Sequence, residues 1–176
     1  EHNRSNAVAA LLAARHVGVQ PARGLEALAR FENVKRRMEL RGTVRGISIY
    51  DDFAHHPTAI ATTVAGLRRK IDSGSAGHSL QAPRILAVLE PRSNTMKLGV
   101  MKAQLPVSLA EADQVFCYSA NLGWDAAEAL APLGEKAVVA DNLNDLVERI
   151  VVAAQPGDQV LVMSNGGFGG IHGKLL

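Results

Sequence analysis

Two adjacent carboxylates and two adjacent histidines form the first cluster of side chains that could do chemistry. Asp51 and Asp52 precede His55, His56 and Pro57. A strand-end carboxylate can accept hydrogen bonds from ribose hydroxyls or help to hold a cation, and a histidine can donate to a nucleotide or substrate oxygen. The same aspartates could instead cap a helix that begins at Pro57, so both interpretations stay open. No further His or Cys follows at ligand spacing, so no metal site is predicted.

A second cluster places Arg92, Ser93 and Asn94 just before a predicted helix that begins at Thr95. Arginine forms paired hydrogen bonds with carboxylates, and the free amides at the start of a helix favour negative charge. These residues therefore favour an anionic group of a substrate. Helix capping by Ser93 and Asn94, with Arg92 at the surface, explains the same residues equally well.

A glycine-rich segment, residues 164–173, is the third cluster and combines Ser164, Asn165 and His172 with several glycines. A turn of this kind lets the backbone approach a ligand and can direct several amides at an anion. Its spacing does not give the G-x-G-x-x-G fingerprint of dinucleotide-binding folds, and the chain contains no Gly-Lys-Ser/Thr phosphate loop. If the chain uses ATP, we therefore expect the triphosphate to bind elsewhere. The glycine spacing is also typical of a simple turn.

The composition is that of a compact globular domain. Of the 176 residues, 47% are hydrophobic and 20% are charged, which excludes a disordered chain and a coiled coil. No apolar run reaches the roughly 18 residues that a membrane-spanning helix needs, so we expect no membrane partner. A net charge of +2 and 4% aromatic residues argue against a nucleic-acid partner. The single cysteine, Cys117, cannot form an internal disulfide and is compatible with a reducing compartment.

Hydrophobic periodicity separates strands from helices along the chain. Strands are predicted at residues 38–44, 46–50, 84–89, 115–118, 136–140 and 159–163. Helices are predicted at residues 5–17, with Asn3 or Ser5 as N-cap, and at 21–31, 57–71, 95–104, 109–112, 125–133, 143–154 and 168–176. Residues 72–83, which include His78, are predicted as a polar loop. Strands that are apolar on both faces predict an α/β fold, a doubly wound, mostly parallel sheet with helices on both faces.

All three clusters follow a predicted strand directly. Because the carboxyl ends of parallel strands meet at one edge of a sheet, we expect the three clusters to line a single crevice there. Loops that only connect elements rarely carry this much polar chemistry. This placement is the strongest argument for a binding site that the residues alone provide.

The motifs also resemble those of a known family. Residues 51–58, Asp-Asp-Phe-Ala-His-His-Pro-Thr, strongly resemble the signature that opens the C-terminal domain of Mur ligases, the ATP-dependent amide-forming enzymes of peptidoglycan synthesis. Residues 1–6 resemble the end of the central ATPase domain of these enzymes, and residues 34–39 resemble the start of their last domain. Residues 90–99 and 164–175 are most similar to the branch that acts in peptidoglycan recycling.

This resemblance implies a domain organisation and an activity. Residues 1–33 would end the central ATPase domain, and residues 34–176 would form the Rossmann-like C-terminal domain of a bacterial, cytoplasmic ligase. That ligase would use ATP to activate the carboxylate of UDP-N-acetylmuramate as an acyl phosphate and join it to the murein tripeptide. The phosphate loop and the Mg²⁺ ligands would lie in upstream domains of the same chain, so we expect no catalysis from these residues alone.

The resemblance also assigns residues to ligands. Six are expected at the nucleotide, near the adenine, phosphates or ribose: Asn3, Asn6, Arg37, Asp52, His55 and His56. Eight are expected to bind the peptide: Arg92, Ser93, Asn94, Ser164, Asn165, Gly167, Phe168 and His172. No catalytic residue set is complete in the chain.

Two alternative functions stay open. One is the related ligase that adds L-alanine to UDP-N-acetylmuramate, and the other is a non-catalytic nucleotide-binding α/β module, which the fold alone cannot exclude. Free alanine needs only a small pocket, whereas a tripeptide with several carboxylates calls for more donors. Arg92, Asn94 and the glycine-rich segment therefore favour the tripeptide.

Overall fold

The computed structural model describes residues 2–31, 34–74 and 82–176, so His78 lies outside the described residues. The chain divides into two compact units between Val34 and Lys35. Within the described ranges, no helix is both long enough and apolar enough to cross a membrane.

The first unit contains a pair of helices, α1 (His2–His16) and α2 (Pro21–Ala29). α1 already begins at His2, so Asn3 and Ser5 lie in its first turn, and the prediction that one of them is the N-cap is wrong. Gly18 follows α1 with a φ of +94°, a conformation that favours glycine at a helix end. α2 begins at Pro21, as predicted, because the fixed φ of proline suits the first turn of a helix.

Within the described residues of the second unit, six strands form one sheet. They are β1 (Glu39–Val44), β2 (Ile47–Asp52), β3 (Ile85–Leu89), β4 (Gln114–Tyr118), β5 (Ala137–Ala140) and β6 (Gln159–Met163). Their order across the sheet is β1-β2-β6-β3-β4-β5. β1 pairs antiparallel with β2, and all other pairs are parallel. The predicted α/β class with a mostly parallel sheet is therefore confirmed.

The helices of the second unit vary widely in length. They are α3 (Pro57–Gly74), α4 (Asn94–Lys97), α5 (Leu105–Ser108), α6 (Ala126–Leu130), α7 (Leu143–Ala153) and α8 (Ile171–Leu175). Short 3₁₀ segments precede α5, follow α6 and precede α8. Residues 109–112, predicted as a helix, form a turn after α5 instead.

Glycines break two of the predicted helices. The helix predicted at residues 95–104 ends as the short α4, and the chain turns at Gly99, whose φ is +73°. The helix predicted at residues 168–176 is split by Gly169 and Gly170, with φ of +56° and +71°, before α8 begins. A positive φ takes a residue out of the right-handed helix, so hydrophobic periodicity alone overestimates helix length here.

Helices cover both faces of the sheet. On one face, α3 buries Ile60, Val64 and Leu67, whose spacing places them on one stripe of the helix, and α5 and α6 pack beside it. On the opposite face, α7 buries Leu146 and Ile150, and α8 packs next to α7. β3 lies between these layers and is buried along its whole length. The two cores hold the carboxyl ends of the strands in fixed positions.

Candidate functional site

The three polar clusters meet at the carboxyl edge of the sheet. They follow β2, β6 and β3, which lie side by side and parallel in that order. Backbone hydrogen bonds join the neighbouring segments, because the N–H of Ser164 donates to the carbonyl of Asp52 at 3.2 Å and that of Glu90 donates to the carbonyl of Met163 at 3.1 Å. The predicted shared edge is therefore confirmed, at the place where open α/β sheets bind ligands.

Asp52 ties three segments together at the end of β2. It is the last residue of the strand and only 3% exposed. Its Oδ2 accepts the N–H of Met38 at 2.8 Å. Its Oδ1 accepts the N–H of Ala54 at 2.7 Å and the hydroxyl of Thr63, in α3, at 3.4 Å. Three of the roughly four acceptor positions of the carboxylate are therefore filled by the protein itself.

Arg36 is a second connecting residue at this edge, and the sequence did not single it out. Its Nη2 donates to the carbonyl oxygens of Ser164 at 2.5 Å and Gly166 at 2.9 Å. Its Nε lies 3.4 Å from the carboxylate of Asp51. The guanidinium also lies over the ring of Phe53, 5.1 Å from the ring centre. Arg36 therefore links the segment before β1 to the turn after β6.

Asp51, which is buried, and His172, which is half-buried, lie close together beside Arg36. Nε2 of His172 lies 3.4 Å from Oδ1 of Asp51, which is 4% exposed. Among the described residues, this imidazole nitrogen has no hydrogen-bond partner. Burial is the main cause that lowers the pKa of His172; Asp51 opposes the shift, and Arg41 and Arg36 add to it. The imidazole is therefore uncharged at neutral pH, and Asp51 pairs with Arg36.

Ser164 connects the turn after β6 to β3. Its hydroxyl donates to Oε2 of Glu90 at 2.5 Å and accepts the N–H of Gly166 at 2.9 Å, and the residue is 1% exposed. A Cβ atom on Gly166 would collide with the guanidinium of Arg92, so the arginine lies directly against this glycine. The hydroxyl of Ser164 is therefore not free for a ligand, and its two hydrogen bonds help to hold the shape of the site.

A cleft of about 200 Å³ opens between the ends of β3 and β4. We refer to it as the peptide cleft, after the ligand that the sequence resemblance predicts for this edge, and its lining residues are Glu90, Pro91, Arg92, Lys97, Tyr118, Ala120 and Asn121. Two cations and one carboxylate line the same small volume. Such a set can bind a ligand that carries both carboxylates and an ammonium group.

Trp124 holds the two loops of the peptide cleft together. Its indole Nε1 donates to the carbonyl of Met96 at 2.7 Å, and the N–H of Gly123 donates to the carbonyl of Lys97 at 3.1 Å. A Cβ atom on Gly99 would contact the indole ring, so this glycine is needed for close packing as well as for its positive φ. These contacts fix the backbone that carries Lys97.

The other residues assigned to the nucleotide lie at or near the surface. His55 is half-buried, and its Nδ1 lies 2.8 Å from a backbone carbonyl two residues earlier. His56 is half-buried where α3 begins, and Arg37 is exposed. The two asparagines assigned to the adenine are exposed on α1 of the first unit: Asn3 and Asn6.

The remaining residues assigned to the peptide fall into three settings. Ser93 caps α4, since its hydroxyl accepts the N–H of Met96 at 3.4 Å, and Asn94 is exposed at the first position of that helix. Asn165 is half-buried, and its Oδ1 has no hydrogen-bond partner among the described residues. Gly167 is exposed.

Phe168 belongs to the core. It is 1% exposed, packs in the layer under α7 and α8, and lies 5.8 Å from the ring of Tyr118. Its backbone φ is +43°, an unusual value for a residue with a side chain. Phe168 therefore anchors the glycine-rich segment from inside.

Residues 36–166 match the family model described as the glutamate ligase domain of Mur ligases. The chain belongs to the Mur ligase family. It is 52% identical to the UDP-N-acetylmuramate–L-alanyl-γ-D-glutamyl-meso-2,6-diaminoheptandioate ligase of Escherichia coli K12, across 100% of this chain and 37% of that protein. It is 34% identical to a UDP-N-acetylmuramate–L-alanine ligase of Synechococcus elongatus, across 99% of this chain and 38% of that protein. The chain thus spans well under half of these relatives.

Solved structures agree with this membership. A murein peptide ligase from Psychrobacter arcticus is 39% identical with a TM-score of 0.74, over 99% of this chain and 36% of that one. Another solved structure is a domain from Haemophilus ducreyi, described as part of a putative UDP-N-acetylmuramate:L-alanyl-γ-D-glutamyl-meso-diaminopimelate ligase. It is 48% identical to this chain, with a TM-score of 0.65. That match covers 80% of this chain and 97% of the other, so the fold of the second unit recurs as the C-terminal domain of Mur ligases.

The described residues of this Mur ligase domain do not fit a metal ion. Within residues 2–31, 34–74 and 82–176, no three His, Cys, Asp or Glu side chains lie together as potential ligands. The carboxylates nearest the site, Asp51, Asp52 and Glu90, receive hydrogen bonds from protein donors.

Sequence reasoning on this Mur ligase domain missed residues in three places. The last residue of β4, Tyr118, and Asn121 in the loop after it line the peptide cleft, and their position at a further strand end was the available signal. Lys97 lies in α4, inside the helix predicted at residues 95–104, and was not assigned to a ligand. Arg36 is adjacent to Arg37 in a basic run, and no sequence signal distinguishes the half-buried Arg36 from the exposed Arg37.

Proposed function

We propose that the chain is the C-terminal domain of an ATP-dependent ligase that joins the tripeptide L-alanyl-γ-D-glutamyl-meso-diaminopimelate to UDP-N-acetylmuramate in peptidoglycan recycling. The observation that carries the proposal is the mixed charge of the peptide cleft. The 52% identity to the Escherichia coli ligase that is named for these two substrates supports it. ATP and UDP-sugars are made in the cytoplasm, which is where we place the enzyme in a bacterial cell.

The peptide cleft suits the distal end of the tripeptide. Diaminopimelate carries carboxylates together with an ammonium group at that end, and Arg92 and Lys97 supply cations for the carboxylates. Glu90 supplies an acceptor for the ammonium, because Ser164 occupies only its Oε2. L-Alanine offers one carboxylate and a methyl group, which would leave part of this charge unmatched. Ser93, Asn94, Asn165, Gly167 and His172 complete the proposed peptide side, with Ser164 and Phe168 holding its shape.

The proposed nucleotide side lies at the end of β2. Arg37 would contact the phosphates of ATP, Asp52 would use its remaining acceptor position for the ribose, and His55 and His56 would line the same side. Asn3 and Asn6 would contact the adenine. A structure of MurF ligase from Thermotoga maritima, 20% identical to this chain, contains ADP, which supports a nucleotide as ligand in this fold.

The chemistry needs parts from outside this chain. The γ-phosphoryl group of ATP passes to the carboxylate of UDP-N-acetylmuramate, giving ADP and an acyl phosphate. The tripeptide amine then attacks the acyl carbon, loses a proton and expels phosphate, which leaves the amide. The residues described here hold the tripeptide so that its amine meets the acyl carbon in a productive orientation. Mg²⁺ would be held by ligands of the upstream central domain and would neutralise charge on the phosphates.

The test compares two acceptors with the intact ligase that contains this domain. With ATP and UDP-N-acetylmuramate present, we expect kcat/KM for the tripeptide to exceed that for L-alanine by at least about 100-fold, the worth of two charge-assisted contacts. Phosphate release measures turnover, and mass spectrometry identifies the amide. The 176-residue chain alone is the control and is expected to form no amide. Better use of L-alanine would point to the alanine-adding ligase, and nucleotide binding without any amide product would point to a non-catalytic module.

A further inference from the structure

We propose that Arg36 is a positioning residue that fixes the glycine turn, defined as residues 164–167, and through it the peptide cleft. The inference deepens the proposed function, and its kinetic test rests on that function. Arg36 lies in the segment before β1, next to Arg37, which is assigned to the nucleotide. The residue would thus connect the nucleotide side of the site to the peptide side.

The guanidinium holds oxygen atoms from two strand ends at once. Nη2 donates to the carbonyls of Ser164 and Gly166 at 2.5 and 2.9 Å, and Nε faces Asp51 at 3.4 Å. The side chain is 29% exposed, so water competes only partly for these contacts. The planar fork of arginine can bind such a set of acceptors simultaneously, whereas the single ammonium of lysine cannot match its geometry.

The backbone of Arg36 is itself held in place. Its N–H donates to Oε2 of Glu39 at 2.8 Å, and its carbonyl accepts the N–H of Phe53 at 2.8 Å. Its φ is +58°, a left-handed conformation that a residue with a side chain keeps only when its surroundings enforce it. The guanidinium therefore extends from a fixed point and can hold the glycine turn in place.

The glycine turn in turn carries the peptide cleft. Ser164 bonds Glu90, and the guanidinium of Arg92 lies against Gly166. Both Glu90 and Arg92 line the cleft. A glycine turn without its two charge-assisted carbonyl contacts would move more freely and would release both residues from their positions. Arg36 thus acts on peptide binding without touching the peptide.

The kinetic test uses Arg36→Met and Arg36→Lys in the intact ligase. We expect Arg36→Met to raise KM for the tripeptide about 10- to 100-fold and to change KM for ATP by less than about 3-fold, because its two shorter contacts, at 2.5 and 2.9 Å, hold the glycine turn, whereas its contact with Asp51 is longer, at 3.4 Å. Arg36→Lys keeps the charge but loses the fork, so it should restore only part of the tripeptide affinity. Arg45→Met is the matched control, because Arg45 is exposed in the hairpin turn at the opposite end of β2. Equal effects on both KM values, or full rescue by lysine, would overturn the proposal.

A second measurement does not depend on the substrate. Hydrogen exchange of the amides in residues 164–168 of the intact ligase should become about 10-fold faster or more in Arg36→Met, and less so in Arg36→Lys, while Arg45→Met leaves it unchanged. Unchanged exchange in both Arg36 variants would refute the positioning role. If the wild-type ligase does not use the tripeptide, the proposed function fails, and faster exchange still supports the role of Arg36. If Arg36→Met does not fold, Arg36→Lys provides the same comparison at smaller amplitude.

Discussion

Two neighbouring regions at one edge of the sheet use polar residues in opposite ways. At the ends of β2 and β6, Asp51, Asp52 and Ser164 are buried and bonded to the protein itself. In the peptide cleft, Arg92 and Asn121 are exposed and line an open volume. The difference shows that a polar residue at the ligand-binding edge can hold the site in shape as well as bind the ligand. We refer to the residues that hold the site in shape as the frame: Arg36, Asp51, Asp52, Ser164 and His172.

The free-energy cost of burying a charged group explains why the carboxylates of the frame have hydrogen-bond partners within the protein. A buried carboxylate without donors costs several kcal/mol, so Asp51 and Asp52 persist there only with partners. Arg36, backbone amides and the hydroxyl of Thr63 are those partners. The exposed cation of the cleft, Arg92, keeps its hydration until a ligand displaces it, so it needs no internal partner. Substitutions in the frame should therefore affect stability, and substitutions in the cleft should affect substrate use.

The largest effect is expected for Asp52→Ala in the frame. The change removes three hydrogen bonds and leaves the N–H groups of Met38 and Ala54 without their acceptor. We expect the free energy of unfolding of the chain to fall by about 3–5 kcal/mol, measured by urea denaturation. Asp145→Ala removes a carboxylate that is 44% exposed and pairs with Arg149 within α7, so it should cost less than about 0.5 kcal/mol and is the control. A stable Asp52→Ala chain with a raised KM for ATP in the intact ligase would show that the ribose, not the frame, is the main partner of Asp52.

Arg92→Ala should have the next largest effect, and on substrate use alone. Loss of one or two charge-assisted bonds predicts a fall in kcat/KM for the tripeptide of about 10- to 1000-fold in the intact ligase. Because Arg92 is exposed, the free energy of unfolding should change by less than about 0.5 kcal/mol. KM for ATP should stay within about twofold. If the Arg92→Ala ligase kept full tripeptide activity, the distinction between a cleft that acts on substrate use and a frame that acts on stability would be wrong.

The sequence predicted the edge correctly but not the division of roles within it. Alternation of apolar strands and helices located the strand ends, and parallel pairing brought them together. Asp52 and Phe168 were both assigned to ligands, yet one bonds Met38 and Ala54 and the other packs in the core. Burial of a polar side chain depends on contacts between distant segments, such as that of Arg36 with Gly166. The spacing of residues along the sequence does not reveal such contacts.

Gly166→Ala tests the boundary between frame and cleft. The φ of Gly166 is not in the left-handed region, so alanine fits the backbone, but its methyl group would displace the guanidinium of Arg92. We expect kcat/KM for the tripeptide to fall about 3- to 30-fold with little loss of stability. Gly173→Ala is the matched control, because a Cβ there meets no described atom within 4 Å. Equal kinetics in the two variants would mean that the position of Arg92 does not depend on the glycine turn.

The smallest effect is a pH dependence inside the frame, at His172. Burial lowers the pKa of this imidazole, with Asp51 opposing, so the folded chain binds the proton less readily than the unfolded chain, whose histidine titrates near 6.5. The unfolded state therefore holds more protons as pH falls below about 6.5, and stability is lost in that direction until the folded group is also protonated. Between pH 7.5 and 5.5, we expect Tm to fall by about 1–3 °C more in the wild-type chain than in His172→Gln, which cannot titrate. A smaller fall in the wild-type chain than in His172→Gln would mean that Asp51 dominates over burial and that the pair is charged in the folded state.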